Sequence, residues 1–252
     1  MKKQICHLLI AVTLCLPFPC IASEGGVKLD KAPIHIQDTE SIQRGAQIFV
    51  NYCLSCHSAI SMRYNRLMEV GLTEPEIKNN LLLAGDKVGD TMRIAMDAKD
   101  AKAWLGKAPP DLSVVARSRG ADWLYTYLRS FYRDATRPTG WNNRVFDKVA
   151  MPHVLWQWQG EQILKTTKGP RDEEQTQLVL VEPGSMTRLE NGKAHTVEFD
   201  RRMADLTNYL VFMGEPAQVT RRQIGYAVLM FLILLLLPLA YFLKKEFWRD
   251  VH

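Results

Sequence analysis

The chain has 252 residues, 47% hydrophobic and 23% charged, with 15 Gly and 12 Pro, a composition that excludes a disordered chain, a collagen and a coiled coil. Its formal net charge of +5 sits at the two ends: residues 1–22 hold +2, residues 221–252 hold +3, and residues 23–220 carry 25 charges of each sign. A nucleic-acid binder needs its basic excess on a folded face, so nucleic acid is excluded as a partner, and basic residues beside apolar runs point instead to export and membrane insertion.

The first element is Lys2-Lys3, an apolar run from Ile5 to Leu16, then Pro17, Pro19 and Cys20-Ile21-Ala22. A basic start, a short apolar stretch and small residues at its exit read as a secretory signal over 1–22, cleaved after Ala22. Pro-Phe-Pro before Cys20 is a poor match to a lipid-attachment site.

Next comes a helix capped by Asp38, with Glu40 in its first turn and Ile42, Ala46, Phe49 and Cys53 on one apolar face. It delivers the only two cysteines outside the signal, in Cys53-Leu54-Ser55-Cys56-His57. An exported protein ordinarily uses Cys for disulfides, but C-x-x-C-H is the attachment pattern of c-type haem. Two thiols at this spacing add to the two vinyl groups of one porphyrin, and the adjacent His is held under the ring as an iron ligand. A structural zinc site would need two more ligands at suitable spacing.

Met92 and Met96, with Ile94 and Ala95 between, read as a short amphipathic helix. Residues 121–133 read as a second helix, with Leu124, Tyr127, Leu128 and Phe131 on one face and Trp123, Tyr125 and Tyr132 adding aromatic mass. A turn-rich stretch then leads to Val149-Ala150-Met151-Pro152-His153. Pro152 biases Met151 towards an extended backbone, which suits a second axial ligand on a fixed loop. His153 and Met186 compete for that role. Residues 176–181 and 186–199 read as strands, with Asn191-Gly192 as a hairpin turn. Acid outnumbers base eight to five between Glu161 and Asp200; a solvated loop accounts for this better than a docking surface. A helix over about 201–213, capped by Asp200 and ended by Gly214 and Pro216, carries Met203, Leu206, Leu210 and Met213.

The last element, Gly225 to Leu243, runs 19 residues without a charge, near the ~20 needed to cross a hydrocarbon core. Arg221-Arg222 precede it, Lys244-Lys245 and Arg249 follow it, and Tyr226, Tyr241 and Trp248 fall near the two interfaces. The divisions expected are a signal at 1–22, a periplasmic c-type haem domain at 23–220, a transmembrane anchor at 221–243 and a cytoplasmic tail at 244–252. The fold class is mainly α: a c-type cytochrome haem domain with a small β hairpin and one C-terminal transmembrane helix.

Several segments in the same order resemble the cytochrome c1 family, the haem subunit of the cytochrome bc1 (quinol–cytochrome c reductase) complex. They are Ser41-Ile42-Gln43-Arg44-Gly45-Ala46-Gln47 leading into Cys53–Ser58, Ala108-Pro109-Pro110-Asp111-Leu112-Ser113 continuing to Arg119-Gly120, Met151-Pro152, and the anchor with Leu237-Pro238-Leu239 and its lysines. C-x-x-C-H is common to all c-type cytochromes; Pro-Pro-Asp-Leu-Ser with a single C-terminal anchor is more specific, and the chain resembles the compact bacterial form. The resemblance implies Met151 as the sixth ligand, Arg119 as the donor to a haem propionate (with Arg117 as its rival) and Pro110 as a wall of the haem pocket.

It further implies one covalent haem c ligated by His57 and Met151, and electron transfer from a Rieske iron–sulfur protein to a c-type cytochrome. The partners implied are a cytochrome b subunit, those two proteins and the membrane. The chain is then an electron-transfer subunit of a quinol–cytochrome c reductase in the bacterial inner membrane, binding no quinol and doing no substrate chemistry at its own iron. A haem enzyme with an open iron position and an independent tethered cytochrome are the competing readings. The first lacks a reason to keep a Met ligand. The second favours a small haem domain on a long linker, whereas only a few residues separate Gly214 from the span.

Overall fold

The computed structural model describes residues 27–94, 96–168 and 174–249; the signal over 1–22 and the last residues of the tail lie outside them. Helix α1 (Thr39–Ile48) starts at Asp38, whose carboxylate accepts from the Ser41 N–H at 3.0 Å. It widens into a π turn over Phe49–Cys53, and the Cys56 and His57 N–H groups both return to the Cys53 carbonyl. The motif is therefore wound onto the end of a helix whose apolar face, with Cys53, packs into the core.

Strand β1 (Ala59–Arg63), a 3₁₀ segment (Tyr64–Val70) and α2 (Glu74–Asn80) follow, the last opened by a reciprocal Thr73–Glu76 capping box. Then come β2 (Thr91–Met92), α3 (Ala98–Leu105), α4 (Val115–Arg119) and α5 (Ala121–Arg129). After these lie β3 (Phe131–Arg133), β4 (Trp141–Asn143), α6 (Trp156–Gln159), β5 (Gly160–Lys168), β6 (Glu174–Pro183), β7 (Arg188–Glu190) and β8 (Lys193–His195). Two long helices close the chain, α7 (Val197–Gly214) and α8 (Gln218–Phe247). Among the described residues the strands form four antiparallel pairs, β1–β2, β3–β4, β5–β6 and β7–β8, so the structure is mainly helical with several small two-stranded sheets.

The core is centred on α1 packed against α7. Ile42, Ala46, Phe49, Phe199, Met203, Leu206 and Tyr209 are fully buried. Gly45 lets the two backbones meet, since a Cβ there would stand 2.1 Å from the Asp205 carbonyl oxygen. A buried polar network crosses the same contact. Ser41 Oγ donates to Asp205 Oδ1 at 2.7 Å, Asn208 Nδ2 donates to Ser41 Oγ at 2.8 Å, and Arg44 Nε donates to Asp205 Oδ2 at 2.7 Å. Helix α8 is different in kind: 30 residues, apolar over its middle, with Pro238 inside and no residue buried. At 1.5 Å per residue it spans about 45 Å, enough for a bilayer core and both headgroup regions.

Four sequence expectations are corrected. Met92 stands on a strand and not on a helix with Met96: Ala59 pairs with it, and its sulfur accepts from the Tyr209 hydroxyl at 3.3 Å inside the core. The helix expected over 121–133 stops at Arg129. Ser130 folds back on the Thr126 carbonyl at 2.6 Å, and Phe131–Arg133 pairs with Trp141–Asn143. The strand expected over 186–199 is two short strands about Asn191-Gly192, both residues at positive φ, and α7 begins at Val197, a turn earlier than Asp200. The longest strand pair joins 174–183 to residues 160–168, a stretch without clear alternation.

Candidate functional site

The two cysteines are half-buried and unpaired, and apolar surroundings push the Cys53 thiol up to about 12. His57 is buried, with Nδ1 2.8 Å from the Pro110 carbonyl oxygen. A carbonyl only accepts, so Nδ1 carries the proton and Nε2 presents its lone pair, the form of imidazole that binds a metal. Burial lowers the His57 pKa, opposed by the Pro110 carbonyl and by Asp111; the ring is therefore held neutral.

The Pro110 carbonyl is aimed by a latch that explains the rest of Pro-Pro-Asp-Leu-Ser. Asp111 Oδ1 accepts from the Ser113 N–H at 2.9 Å, closing an Asx turn. Its Oδ2 accepts from the Ile60 N–H at 2.9 Å, Ser113 Oγ accepts from the Ser61 N–H at 3.0 Å, and the Leu112 N–H reaches the Ser58 carbonyl at 2.8 Å. Three residues just after the motif, Ser58, Ile60 and Ser61, are thus stitched to a segment some fifty positions on. Pro110, expected as a pocket wall, has a more specific place: its backbone fixes the tautomer and orientation of His57.

Met151 lies in a second group with Phe131, Trp141 and Val149. Its Sδ accepts from the Tyr127 hydroxyl at 3.4 Å. Tyr127 stacks on Trp123 at 4.8 Å and 10°, and the Arg119 guanidinium lies 5.2 Å from the Trp123 ring centre and 6.0 Å from that of Phe146. Arg119, Trp123, Tyr127 and Met151 therefore form one continuous line from the end of α4 along α5 to the 149–153 loop. Burial holds the Tyr127 phenol above its ordinary range, so it is a donor. Tyr127 also touches the main core that contains Cys53 and Leu112, which joins the two groups.

The rivals are placed elsewhere. Arg117 passes over Gly214 at the end of α7 and faces Glu215. Met186 sits in the turn between β6 and β7, its N–H on the Trp158 carbonyl at 3.0 Å. His153 is enclosed, stacked on Phe131 at 4.8 Å and 3° and edge-on to Trp141 at 5.0 Å. That enclosure pushes its pKa down to about 3, chiefly through desolvation. Tyr127, Asp111 and Ser113 were not singled out individually from the sequence. The Asx-turn pattern Asp-x-Ser was the available signal for the latch; nothing local signals the Tyr127–Met151 bond.

The donor chemistry fits an iron porphyrin joined through the two thiols. One imidazole is set in its ligating tautomer and one thioether lies on a loop. Among the described residues no group of three or more His, Cys, Asp or Glu is gathered to hold a bare ion.

The profile of the Cytochrome C1 family matches residues 30–251. A protein of Nitrosomonas europaea named ammonia monooxygenase gamma subunit is 51% identical over 250 residues, covering 99% of this chain and all of the relative. Cytochrome c1 of Allochromatium vinosum is 46% identical over 250 residues, covering 97% of this chain and 99% of the relative. Cytochrome c1 of Rhodospirillum rubrum is 29% identical over 263 residues, with 91% of each chain covered.

Proposed function

The chain belongs to the cytochrome c1 family, and from that premise we propose how it works as an electron-carrying haem subunit of a cytochrome bc1 complex. It takes single electrons from a Rieske iron–sulfur protein and passes them to a c-type cytochrome, beside a cytochrome b subunit. Cys53 and Cys56 would hold one haem c through thioether bonds, and His57 and Met151 would supply its two protein ligands to iron. Arg119 meets a propionate, a charge-assisted contact suited to a guanidinium. The division follows the sequence: a signal at 1–22, a periplasmic haem domain at 23–220, an anchor at 221–243 within α8, and a cytoplasmic tail at 244–252.

When bound, the haem supplies a one-electron ferric–ferrous couple. The chain's own residues set its properties. The carbonyl of Pro110 keeps His57 oriented and raises the basicity of its Nε2. The sulfur of Met151 is a soft, weak donor that favours the ferrous state and keeps the potential high. The aromatic line Trp123–Tyr127–Phe131 excludes water from the Met151 side. Helix α7 runs within a few residues of α8, so the haem domain is fixed close to the membrane and not tethered on a long linker. The observation that carries this reading is the His57 Nδ1–Pro110 bond, because it presents Nε2 as a ligand beside two unpaired thiols.

The test is Met151→His and Met151→Ala in the intact complex. The His variant should keep a six-coordinate low-spin iron at a much lower potential, each ~59 mV being a tenfold change in a one-electron equilibrium. The Ala variant should open the iron to carbon monoxide, and quinol-to-cytochrome c turnover should collapse in both while haem stays attached. His153 is too enclosed between Phe131 and Trp141 to replace the lost sulfur without dismantling that packing. The name borne by the Nitrosomonas relative gives one reason to consider an oxygen-activating role. That role requires an open iron position, so the reduced wild-type protein would then bind carbon monoxide without any substitution.

A further inference from the structure

We infer that Tyr127 is a positioning residue for the sixth ligand: its hydroxyl, donated to Met151 Sδ at 3.4 Å, withdraws electron density from the sulfur and raises the reduction potential of the site. The inference rests on the reading of Met151 as an iron ligand.

A buried phenol hydroxyl ordinarily finds an oxygen or nitrogen partner, and a thioether is a weak acceptor. The hydroxyl of Tyr127 has settled on sulfur because the ring is fixed on every side. Trp123 stacks on one face at 4.8 Å, and Phe131 meets it edge-on at 5.1 Å. Behind the ring, Asn143 Nδ2 donates to the Tyr127 carbonyl at 2.8 Å, tying this turn of α5 to β4. The hydroxyl therefore cannot swing away without breaking a stack and an edge contact, on a helical turn whose backbone is itself anchored. Met151 is held from the other side by Trp141 and Val149, so sulfur and hydroxyl are both located before any ligand arrives.

Sulfur has more than one lone pair. One accepts the Tyr127 proton and leaves another to donate. A sulfur so engaged is a poorer donor to ferric iron than to ferrous, and the balance moves towards the reduced form. The hydroxyl also fixes which way the thioether faces, which matters for a side chain with three rotatable bonds.

Tyr127→Phe removes the hydroxyl and keeps both ring contacts, so the chain should fold and attach haem as before. Redox titration of the purified complex should show the reduction equilibrium shifted three- to tenfold towards ferric, tenfold being ~59 mV. The methionine-to-ferric charge-transfer band should persist with a changed position. Tyr125→Phe, one residue type and two positions away on the same helix, should change neither. An unshifted potential in Tyr127→Phe, with the band present and abolished by Met151→Ala, overturns this inference alone. A wild-type protein without the band, indifferent to Met151→Ala, overturns the ligand reading and the inference with it.

Discussion

Gly45→Ala puts the packing that carries the haem motif under a measurable load. The added Cβ would stand 2.1 Å from the Asp205 carbonyl oxygen, 2.6 Å from Tyr209 Cβ and 2.8 Å from the Asp205 carbonyl carbon. Two of these atoms are backbone and the third is one bond from it, so no rotamer change relieves the clash. Reaching an ordinary contact of 3.4 Å requires α1 and α7 to part by about 1.3 Å. The Ser41–Asp205 and Asn208–Ser41 bonds, at 2.7 and 2.8 Å, then stretch out of hydrogen-bonding range. Overpacking costs about 1–3 kcal/mol and each lost hydrogen bond about 1 kcal/mol, offset by about 1 kcal/mol of better helix propensity for Ala. The net loss is roughly 2–4 kcal/mol, which for a domain of this size lowers Tm by about 4–16 °C. Thermal melts of the detergent-solubilised haem protein, followed by circular dichroism, read this directly. Gly225→Ala is the control, since nothing lies within 4 Å of a Cβ there. A Gly45→Ala protein melting with the control would refute the close approach of α1 and α7. Because α1 leads through the π turn into Cys53, Cys56 and His57, the yield of covalently loaded protein should fall with Tm.

Asp205→Ala should cost about 2 kcal/mol by urea denaturation; Arg44 is a third exposed and regains water, so the loss comes mainly from Ser41. Asp111→Ala, which frees the Ile60 and Ser113 N–H groups, should loosen His57 and broaden the low-spin electron paramagnetic resonance signal. Pro110→Ala should leave that signal nearly unchanged, because the carbonyl that holds His57 survives. Mature protein should retain haem through acid–acetone extraction, and His57→Ala should yield little assembled product. A reporter fused after His252 should behave as cytoplasmic and one near Pro216 as periplasmic. Deleting 221–252 should release the haem domain from the membrane; a truncated chain still in the membrane would overturn the single anchor.

The haem motif and the anchor were legible in the sequence because each rests on a local property. Thiols three apart with an adjacent His form one covalent unit, and a span crosses a bilayer by the solvation of its own residues. Helix α1 was legible too, since Asp38 caps it and its apolar positions recur at helical spacing. Pro152 made Met151 one candidate among three, and the resemblance chose it and added Arg119 and Pro110. Tertiary structure decided the rest. The tautomer of His57 is set by a carbonyl 53 positions away, which no local period encodes. Arg117 and Arg119 stand two apart on one short helix, and only the packing of Trp123 against one and Gly214 against the other separates them. Met92 follows a strand because Ala59 pairs with it, and Phe131 leaves its helix because Trp141–Asn143 offers it a partner. Each depends on which surfaces meet once the chain has collapsed, and apolar burial is indifferent to sequence distance while periodicity reports only near neighbours.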